Sequence, residues 1–217
     1  MSSLGSNIHS SKNNNRNDPS RDNYHRRRDF SNFHNQNRRY EEYAVIMDFT
    51  IRGKSSTVRR REGIIIQAIG EERLTLLELF GDQSKKFEIG ERVYIGREGR
   101  EKIISVLGRL SYNDLSVSAK NELPKIIETI VTNNETRFVD YINSSQPINP
   151  RVHGLELIPG IGKTYMRSII TEREKKRFEN FKDVQDRIGI KELSKLISKR
   201  ILEEISGEAR MNLFVRK

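Results

Sequence analysis

The residues best suited to chemistry in this 217-residue chain lie in the stretch GLELIPGIGKTYM, residues 154–166. Two glycines flank Ile161, and Lys163 and Thr164 follow directly. A glycine turn at the start of a helix leaves main-chain N–H groups without partners, next to the positive end of the helix dipole. A lysine and a hydroxyl group beside these donors favour the binding of a phosphate or another anion.

The Gly-Lys-Thr sequence also ends nucleotide-binding P-loops, but the spacing here does not fit one. A P-loop has a further glycine five residues before the glycine of Gly-Lys-Thr, and relative to Gly162 that residue is Leu157. The Gly-Lys-Ser at Gly53 fails in the same way, because the corresponding residue is Asp48. A P-loop also follows a buried strand of a parallel sheet, whereas the preceding region is predicted to be helical and broken by prolines. The pattern therefore argues against an NTPase.

The same stretch predicts two helical elements joined by a tight hairpin. Pro159 ends the first element because it has no N–H to continue a helix, and the glycines permit a sharp turn and a close backbone approach. Ile161 is expected to pack into the core between the two helices. The second helix should begin near residue 163, with these residues on its inward face: Met166, Ile169, Ile170 and Arg173.

The residues LIPGIGKT resemble the hairpin of the helix-hairpin-helix family of nucleic-acid-binding modules. The resemblance implies that the hairpin amides hold a backbone phosphate and read no base, so that binding is largely independent of sequence. The contacts are then expected from the hairpin and the first turns of its helix: Gly160, Ile161, Gly162, Lys163, Thr164 and Arg167. The alternative is a structural hairpin that packs only against its own chain.

Modules of this family often occur in pairs, and FENFKDVQDRIGIKELSKLISKRILEEI continues the chain in the same way. The second hairpin is degenerate, because Lys191 stands in place of the second glycine, and Gly189–Lys191 is predicted to be mainly structural. A basic run between the hairpins either contacts a nucleic-acid backbone or forms a solvated helix end: Lys175, Lys176 and Arg177.

Upstream, residues 41–110 predict a small OB-like barrel. Five short apolar and β-branched runs, separated by glycine or charged turns, predict five antiparallel strands. FEIGERVYIG resembles part of an OB-type barrel, although other five-stranded barrels share this pattern. One face of the first strand is expected to carry alternate residues: Tyr43, Val45, Met47 and Phe49.

The segment RGKSSTVRRR, between the first two strands, predicts a flexible and strongly positive loop. Loops of OB barrels often bind single-stranded nucleic acid, so Arg59, Arg60 and Arg61 are candidates for phosphate contacts. A solvated charged loop is the alternative. In the third strand, a bulge is expected where Leu76 and Leu77 adjoin.

Residues 111–150 predict a helical connector to a C-terminal unit at residues 151–217. Asp114 or Ser116 is expected to cap the first helix, and Pro124 is expected to begin a second one, in the first turn where its missing N–H is harmless. A further short helix should face inward through Phe138, Val139 and Ile142. We expect no chemistry in this segment.

The two ends of the chain are basic, and the formal net charge is +10. Residues 1–40 are rich in Asn, Ser, Arg and Asp without apolar periodicity, which predicts a disordered tail. Its arginine and aromatic side chains are of the kinds that stack on unpaired bases. A basic surface attracts polyanions, with general solubility as the alternative explanation.

Several classes of site lack the residues that they require. The chain has no cysteine, which excludes disulfides and cysteine-based metal sites. No pair of histidines has metal-ligand spacing, and His153 is expected to pack or to cap a helix. DNA glycosylases with a helix-hairpin-helix place their lysine differently, since Lys163 here directly follows the hairpin, and Asp183 and Asp186 are expected near a helix start. We expect no catalytic site, metal or cofactor.

A wider resemblance extends from residue 41 to about residue 210. FVDYIN, HGLELIPGIGK and FENFKDVQDRIG are similar to an archaeal family of uncharacterised proteins that combine an OB-like barrel with a helix-hairpin-helix unit. The resemblance implies RNA binding, with a link to the ribosome or translation.

Taken together, these patterns predict an α+β, non-enzymatic, nucleic-acid-binding protein that prefers RNA to DNA. No apolar run approaches the roughly 18 residues that span a bilayer, so we expect a cytoplasmic protein without a membrane partner. The alternatives are a DNA-binding protein of repair or chromosome maintenance, and a protein–protein adaptor that uses the barrel.

Overall fold

Five antiparallel strands form a curled sheet in the first half of residues 40–216, the part of the chain that the structure, a computed structural model, describes. They are β1 (Tyr43–Lys54), β2 (Glu62–Gly70), β3 (Leu76–Gly81), β4 (Arg92–Tyr94) and β5 (Ile103–Arg109). The order across the sheet is β4-β1-β2-β3-β5, and within the described residues β4 and β5 do not pair. The sheet is therefore a half-barrel, where the sequence predicted a barrel.

Both faces of β2 and β3, and of the first half of β1, are largely buried. One set of side chains fills the inside of the curl, including Ile46, Ile66 and Leu77, while Leu76 on the outer face packs against the helices. Because both faces are covered, Leu76 and Leu77 are buried in an unbroken register with β2, and the bulge predicted between them is wrong.

A bulge lies in β1 instead, where the register with β2 shifts between Ile46 and Asp48. Val45 and Met47 pack against the helices, whereas Phe49 packs against the cluster inside the curl. A bulge adds one residue to one strand and so reverses the alternation of side chains beyond it. For this reason the prediction that Phe49 shares the face of Val45 is wrong.

Helix α1 (Val117–Asn133) packs against β1 and lies at the centre of the fold. Its N-cap is Ser116, one of the two predicted caps, whose Oγ accepts a hydrogen bond from the Ala119 N–H at 3.0 Å. The helix continues through Pro124, so the prediction that a new helix begins there is wrong. An interior proline costs about 3 kcal/mol, but burying each of several aliphatic side chains returns about 1.5–3 kcal/mol: Leu123, Ile126, Ile127 and Ile130.

The part of the chain from Glu135 to Arg216 adds four α-helices, one 3-10 helix and a short two-stranded sheet. In chain order these are α2 (Glu135–Ser144), β6 (Pro147–Asn149), β7 (Val152–His153), a 3-10 helix (Gly154–Leu157), α3 (Lys163–Lys175), α4 (Phe181–Ile188) and α5 (Leu193–Ser206). The residues predicted to face inward from α2 are buried: Phe138, Val139 and Ile142. One hydrophobic cluster joins the outer face of the large sheet to all five α-helices. The hydrophobic packing is therefore continuous across residues 110 and 150, where the sequence predicted domain boundaries.

The tail predicted for residues 1–40 lies, apart from Tyr40, outside the described residues. Among the residues that are described, no helix is long and apolar enough to cross a membrane.

Candidate nucleic-acid interface

The hairpin before α3 is anchored by its apolar residue and leaves its glycines at the surface. Ile161 is 2% exposed, and its N–H donates to the Ile158 carbonyl at 3.0 Å. Gly160 has a φ of 89°, in the left-handed region that favours glycine, and both Gly160 and Gly162 are exposed. The element before the turn is a single 3-10 helix, which is shorter than the helix expected from the sequence.

Four consecutive main-chain N–H groups at the start of α3 have no acceptor within residues 40–216: those of Gly162, Lys163, Thr164 and Tyr165. The first hydrogen bond of the helix runs from the Met166 N–H to the Gly162 carbonyl at 2.9 Å. Gly162 is the N-cap and has no side chain to accept from these donors. Free donors at the positive end of a helix are the arrangement that binds an anion.

Two cations lie next to these donors. Lys163 and Arg167 are exposed and stand one turn apart on the same side of α3. In the described part of the chain neither has a carboxylate within ion-pair distance, and the first turn of α3 contains no acidic residue. The charge at this end of the helix is therefore positive and uncompensated.

The basic run after α3 is different, because each of its cations has a carboxylate partner. Lys175 pairs with Glu172 at 2.6 Å, Lys176 with Glu179 at 2.8 Å and Arg177 with Asp140 at 3.3 Å. All three cations are exposed, and ion pairs at the surface contribute little to stability. These residues fit the solvated helix end that was the alternative reading of the run.

The second turn, Gly189–Lys191, shares the buried isoleucine of the first turn but carries an acid at its helix start. Ile190 is buried, and Gly189 ends α4 with a φ of 81°. Glu192 is the N-cap of α5, and its side chain pairs with Lys195. A carboxylate at the positive end of α5 competes with any phosphate there, so packing accounts for this turn.

The basic loop between β1 and β2 is anchored, whereas the sequence predicted it to be flexible. The carboxylate of Glu78, 2% exposed, accepts hydrogen bonds from the Ser55 hydroxyl at 2.5 Å, the Ser56 N–H at 2.9 Å and the Thr57 N–H at 3.1 Å. Burial alone would raise the pKa of Glu78, but the hydrogen bonds from these three residues outweigh it and hold that pKa below its usual value. The first part of the loop, residues 55–57, is therefore held against β3.

The three arginines of this loop are not equivalent. Arg59 and Arg60 are exposed at its tip, and Arg60 adopts a φ of 59°. The Arg61 guanidinium stacks on the Phe80 ring, 4.1 Å from its centroid. Between this tip and the hairpin of α3, no hydrogen bond or ion pair occurs in residues 40–216, so the predicted residues fall into two separate groups.

His153 caps the 3-10 helix before the hairpin, and its predicted capping role is confirmed. Its Nδ1 accepts from the Leu155 N–H at 3.1 Å, and the His153 N–H donates to the Glu156 carboxylate at 2.9 Å. Burial, together with the positive charge of Arg173, lowers the pKa of His153. Over the described residues, no cluster of three or more His, Cys, Asp or Glu side chains is arranged to hold a metal ion.

A cleft at the open edge of the half-barrel was missed by reasoning from the sequence. Tyr94 and Arg97 line it from β4 and the loop after it, Arg109 lines it from the end of β5, and Tyr40 lines it from the segment before β1. Residues so far apart in the chain form no linear motif. The strand order, with β4 and β5 at opposite edges, is the feature that brings them together.

Residues 40–216 match the model of a protein family described as Protein of unknown function (DUF655). The chain belongs to this family. "Uncharacterized protein MJ0038" of Methanocaldococcus jannaschii is 40% identical over 174 residues, which cover 80% of this chain and 78% of that protein. The crystal structure of the DUF655 protein Af1531 from Archaeoglobus fulgidus superposes with a TM-score of 0.72 at 39% identity, covering 81% of this chain and 100% of that chain. The prediction of a family with archaeal members is confirmed.

Proposed function

We propose that this DUF655 protein binds nucleic acid, RNA in preference to DNA, by holding backbone phosphates at the start of α3. The observation that carries the proposal is the row of four exposed N–H groups without acceptors, from Gly162 to Tyr165, beside Lys163 and Arg167. Donors of this kind contact phosphate oxygens and read no base, so affinity should be largely independent of sequence.

The phosphate binds through two kinds of interaction at this helix-hairpin-helix-like turn. The amides donate hydrogen bonds to its oxygens in a geometry fixed by the buried Ile161 and the left-handed Gly160. Lys163 and Arg167 add charge and release counterions from the polymer, which makes the affinity dependent on salt. The Thr164 hydroxyl is a further donor.

The sheet supplies the second proposed contact, through its loop rather than its strands. In OB folds the outer face of β2 and β3 often binds the ligand. Here that face is covered, because Gln67 on β2 accepts from the Ser116 N–H at 2.9 Å and Glu78 on β3 lies beneath the β1–β2 loop. We therefore assign the contact to Arg59 and Arg60 at the loop tip. If one nucleic-acid strand contacts both the hairpin and this loop, the first contact raises the effective concentration for the second and so raises the affinity.

The preference for RNA and the link to ribosome or translation functions rest on the family resemblance and on the composition of residues 1–40. The hairpin itself does not distinguish the sugars, because its donors contact phosphate alone, and this favours DNA binding in repair or chromosome maintenance as the second candidate. We propose no enzymatic activity and no cofactor.

Binding measured over a range of salt concentrations tests the proposal. Single-stranded RNA, structured RNA and duplex DNA should be compared for the wild type, for Lys163→Ala/Arg167→Ala, and for the matched control Lys175→Ala/Lys176→Ala. Loss of two phosphate contacts should reduce the slope of log K against log salt by about 1.4 for a single strand, while the control should change it little. Equal slopes for all three proteins would contradict the proposed site, and binding to no polynucleotide would favour a protein–protein adaptor.

A further inference from the structure

The half-barrel has an open cleft of about 680 Å³ between β4 and β5. Its apolar lining consists of Leu77, Ile95 and Val106, of which Leu77 and Ile95 belong to the cluster inside the curl. Binding sites for small molecules commonly have volumes of roughly 300–1,000 Å³ and an apolar lining with a few polar groups. The cleft has the size and lining of a ligand site.

Side-chain contacts, rather than main-chain pairing of β4 with β5, cross the open edge in the described residues. Arg100 donates from Nε to the Ile95 carbonyl at 3.1 Å and from a terminal nitrogen to the Ile104 carbonyl at 3.3 Å. These carbonyl groups belong to the chain just after β4 and to β5. Because the guanidinium uses acceptors on both sides, it bridges the gap, and the ion pair of Lys102 with Glu91, just before β5 and β4, bridges it a second time.

The aromatic wall of the cleft is fixed in place. The Tyr94 ring packs edge-on against Tyr43 with 5.2 Å between the ring centroids, and the Arg92 guanidinium lies 3.4 Å from the Tyr43 centroid. A side chain at Gly96 would place its Cβ 2.2 Å from the Tyr94 hydroxyl, so the Tyr94 ring could keep this position only beside a glycine. On the rim, Tyr40 is 65% exposed and lies 5.1 Å from the Arg97 guanidinium.

The lining as a whole carries a small positive excess, with four arginines (Arg73, Arg97, Arg100 and Arg109) against three glutamates. Arg97 and Arg109 are exposed, and neither has a carboxylate partner within the described residues. The acidic lining residues are Glu41, Glu42 and Glu98. The buried Glu41 carboxylate is occupied by the main-chain N–H groups of Glu72, Arg73 and Thr75, and Glu98 is exposed.

We propose that this cleft binds one unpaired nucleotide. Its base lies on the apolar lining beside Tyr94, and its phosphate lies between Arg97 and Arg109. Aromatic side chains stack on any base, and arginines beside them contact the backbone. The inference rests on the proposed nucleic-acid binding and adds to it a second site that takes single strands alone, because a paired base is not free to enter.

Two variants and a matched control test the cleft. Val106→Phe fills it from a residue that is 36% exposed, and Ile104→Phe adds the same ring on the same strand at a residue that is 51% exposed and outside the lining. Arg97→Ala/Arg109→Ala removes only exposed charges, so it provides a test even if Val106→Phe fails to fold. The probes are AMP, UMP, a short single-stranded oligoribonucleotide containing 4-thiouridine, and an RNA duplex.

Both cleft variants should bind the oligoribonucleotide about tenfold more weakly than the wild type and the Ile104→Phe control. Val106→Phe blocks the place of the stacked base, and Arg97→Ala/Arg109→Ala removes the contacts with its phosphate. Binding of the duplex should be unchanged, and the 4-thiouridine crosslink should fall on residues that line the cleft. Tight binding of AMP or UMP would show that the cleft takes a free nucleotide. Tight binding of the oligoribonucleotide, without binding of AMP or UMP, would show that it takes a nucleotide within an RNA strand.

Wild-type affinity for every probe in both cleft variants, with crosslinks elsewhere, would overturn the cleft proposal. If Lys163→Ala/Arg167→Ala still weakened binding in that case, the hairpin proposal would stand alone. Loss of single-strand binding in the cleft variants, with no effect of the hairpin variant, would support the cleft and contradict the hairpin.

Discussion

At the residue scale, the fold restricts the two glycines of the hairpin to different degrees. Gly160 has a left-handed φ, and a Cβ there would lie 3.1 Å from the Leu196 side chain. Gly162 has a φ of −82°, and a Cβ there would point into open space. The fold therefore restricts Gly160 but leaves room for a side chain at Gly162, where the proposed phosphate would need the space.

This difference gives a prediction that separates stability from binding. Gly160→Ala should lower the free energy of unfolding by about 1 kcal/mol or more, because of the strained φ. Gly162→Leu should lower it by about 0.5–1 kcal/mol, because leucine is a poorer N-cap residue than glycine, and should in addition weaken RNA binding, because its side chain covers the free amides. Denaturant unfolding and RNA titration of both variants check this. Unchanged RNA affinity in a folded Gly162→Leu protein would contradict it.

The protonation of His153, which caps the 3-10 helix before the hairpin, makes the stability of the protein dependent on pH. Burial and Arg173 lower the pKa of His153 in the folded protein, so the folded state binds the proton less readily than the unfolded state. The stability that neutral His153 contributes is therefore fully present above the unfolded histidine pKa of about 6.5 and is lost as the pH falls below it.

His153→Asn should make the free energy of unfolding less dependent on pH in this window. Asparagine can still accept the capping hydrogen bond but does not titrate. Denaturation of both proteins at about pH 7 and about pH 5 measures the difference, with the window set by the ordinary histidine pKa. Identical losses of stability on acidification would show that His153 does not control this pH dependence.

At the element scale, Pro124 shows how packing overrides a local signal. The sequence predicts a helix start at this residue, but α1 runs from Val117 to Asn133 because its buried face continues on both sides of the proline. The bulge in β1 is a similar case, since a register shift between Ile46 and Asp48 leaves no trace in the pattern of apolar residues. The presence of five strands, and Ser116 as one of the two candidate caps, were predicted correctly from local sequence.

Replacing this proline should stabilise the protein. Pro124 is exposed, so Pro124→Ala restores a helix N–H without removing a buried side chain. The expected gain in the free energy of unfolding is about 1–3 kcal/mol, seen as a higher denaturant midpoint with an unchanged m value. An unchanged or lower midpoint would mean that the helix has already adapted fully to the proline.

At the scale of the whole molecule, sequence revealed one candidate site and missed the other. The hairpin was found because its donors and Lys163 are contiguous, so a local motif contains the whole site. The cleft was not found, because Tyr94, Arg97 and Arg109 meet only through the order of strands and the unpaired edge. The common core also could not be predicted, since the contact of β1 with α1 joins segments with different local patterns.

The most direct test of the central claim follows individual main-chain amides by NMR while RNA is added at low ionic strength. The amide resonances of Gly162, Lys163 and Thr164 should shift with the bound fraction, because these N–H groups donate to a phosphate. Those of Gly189 and Ile190, in the turn with an acidic helix start, should stay in place. RNA binding that leaves the three hairpin resonances unmoved would contradict the proposed phosphate site.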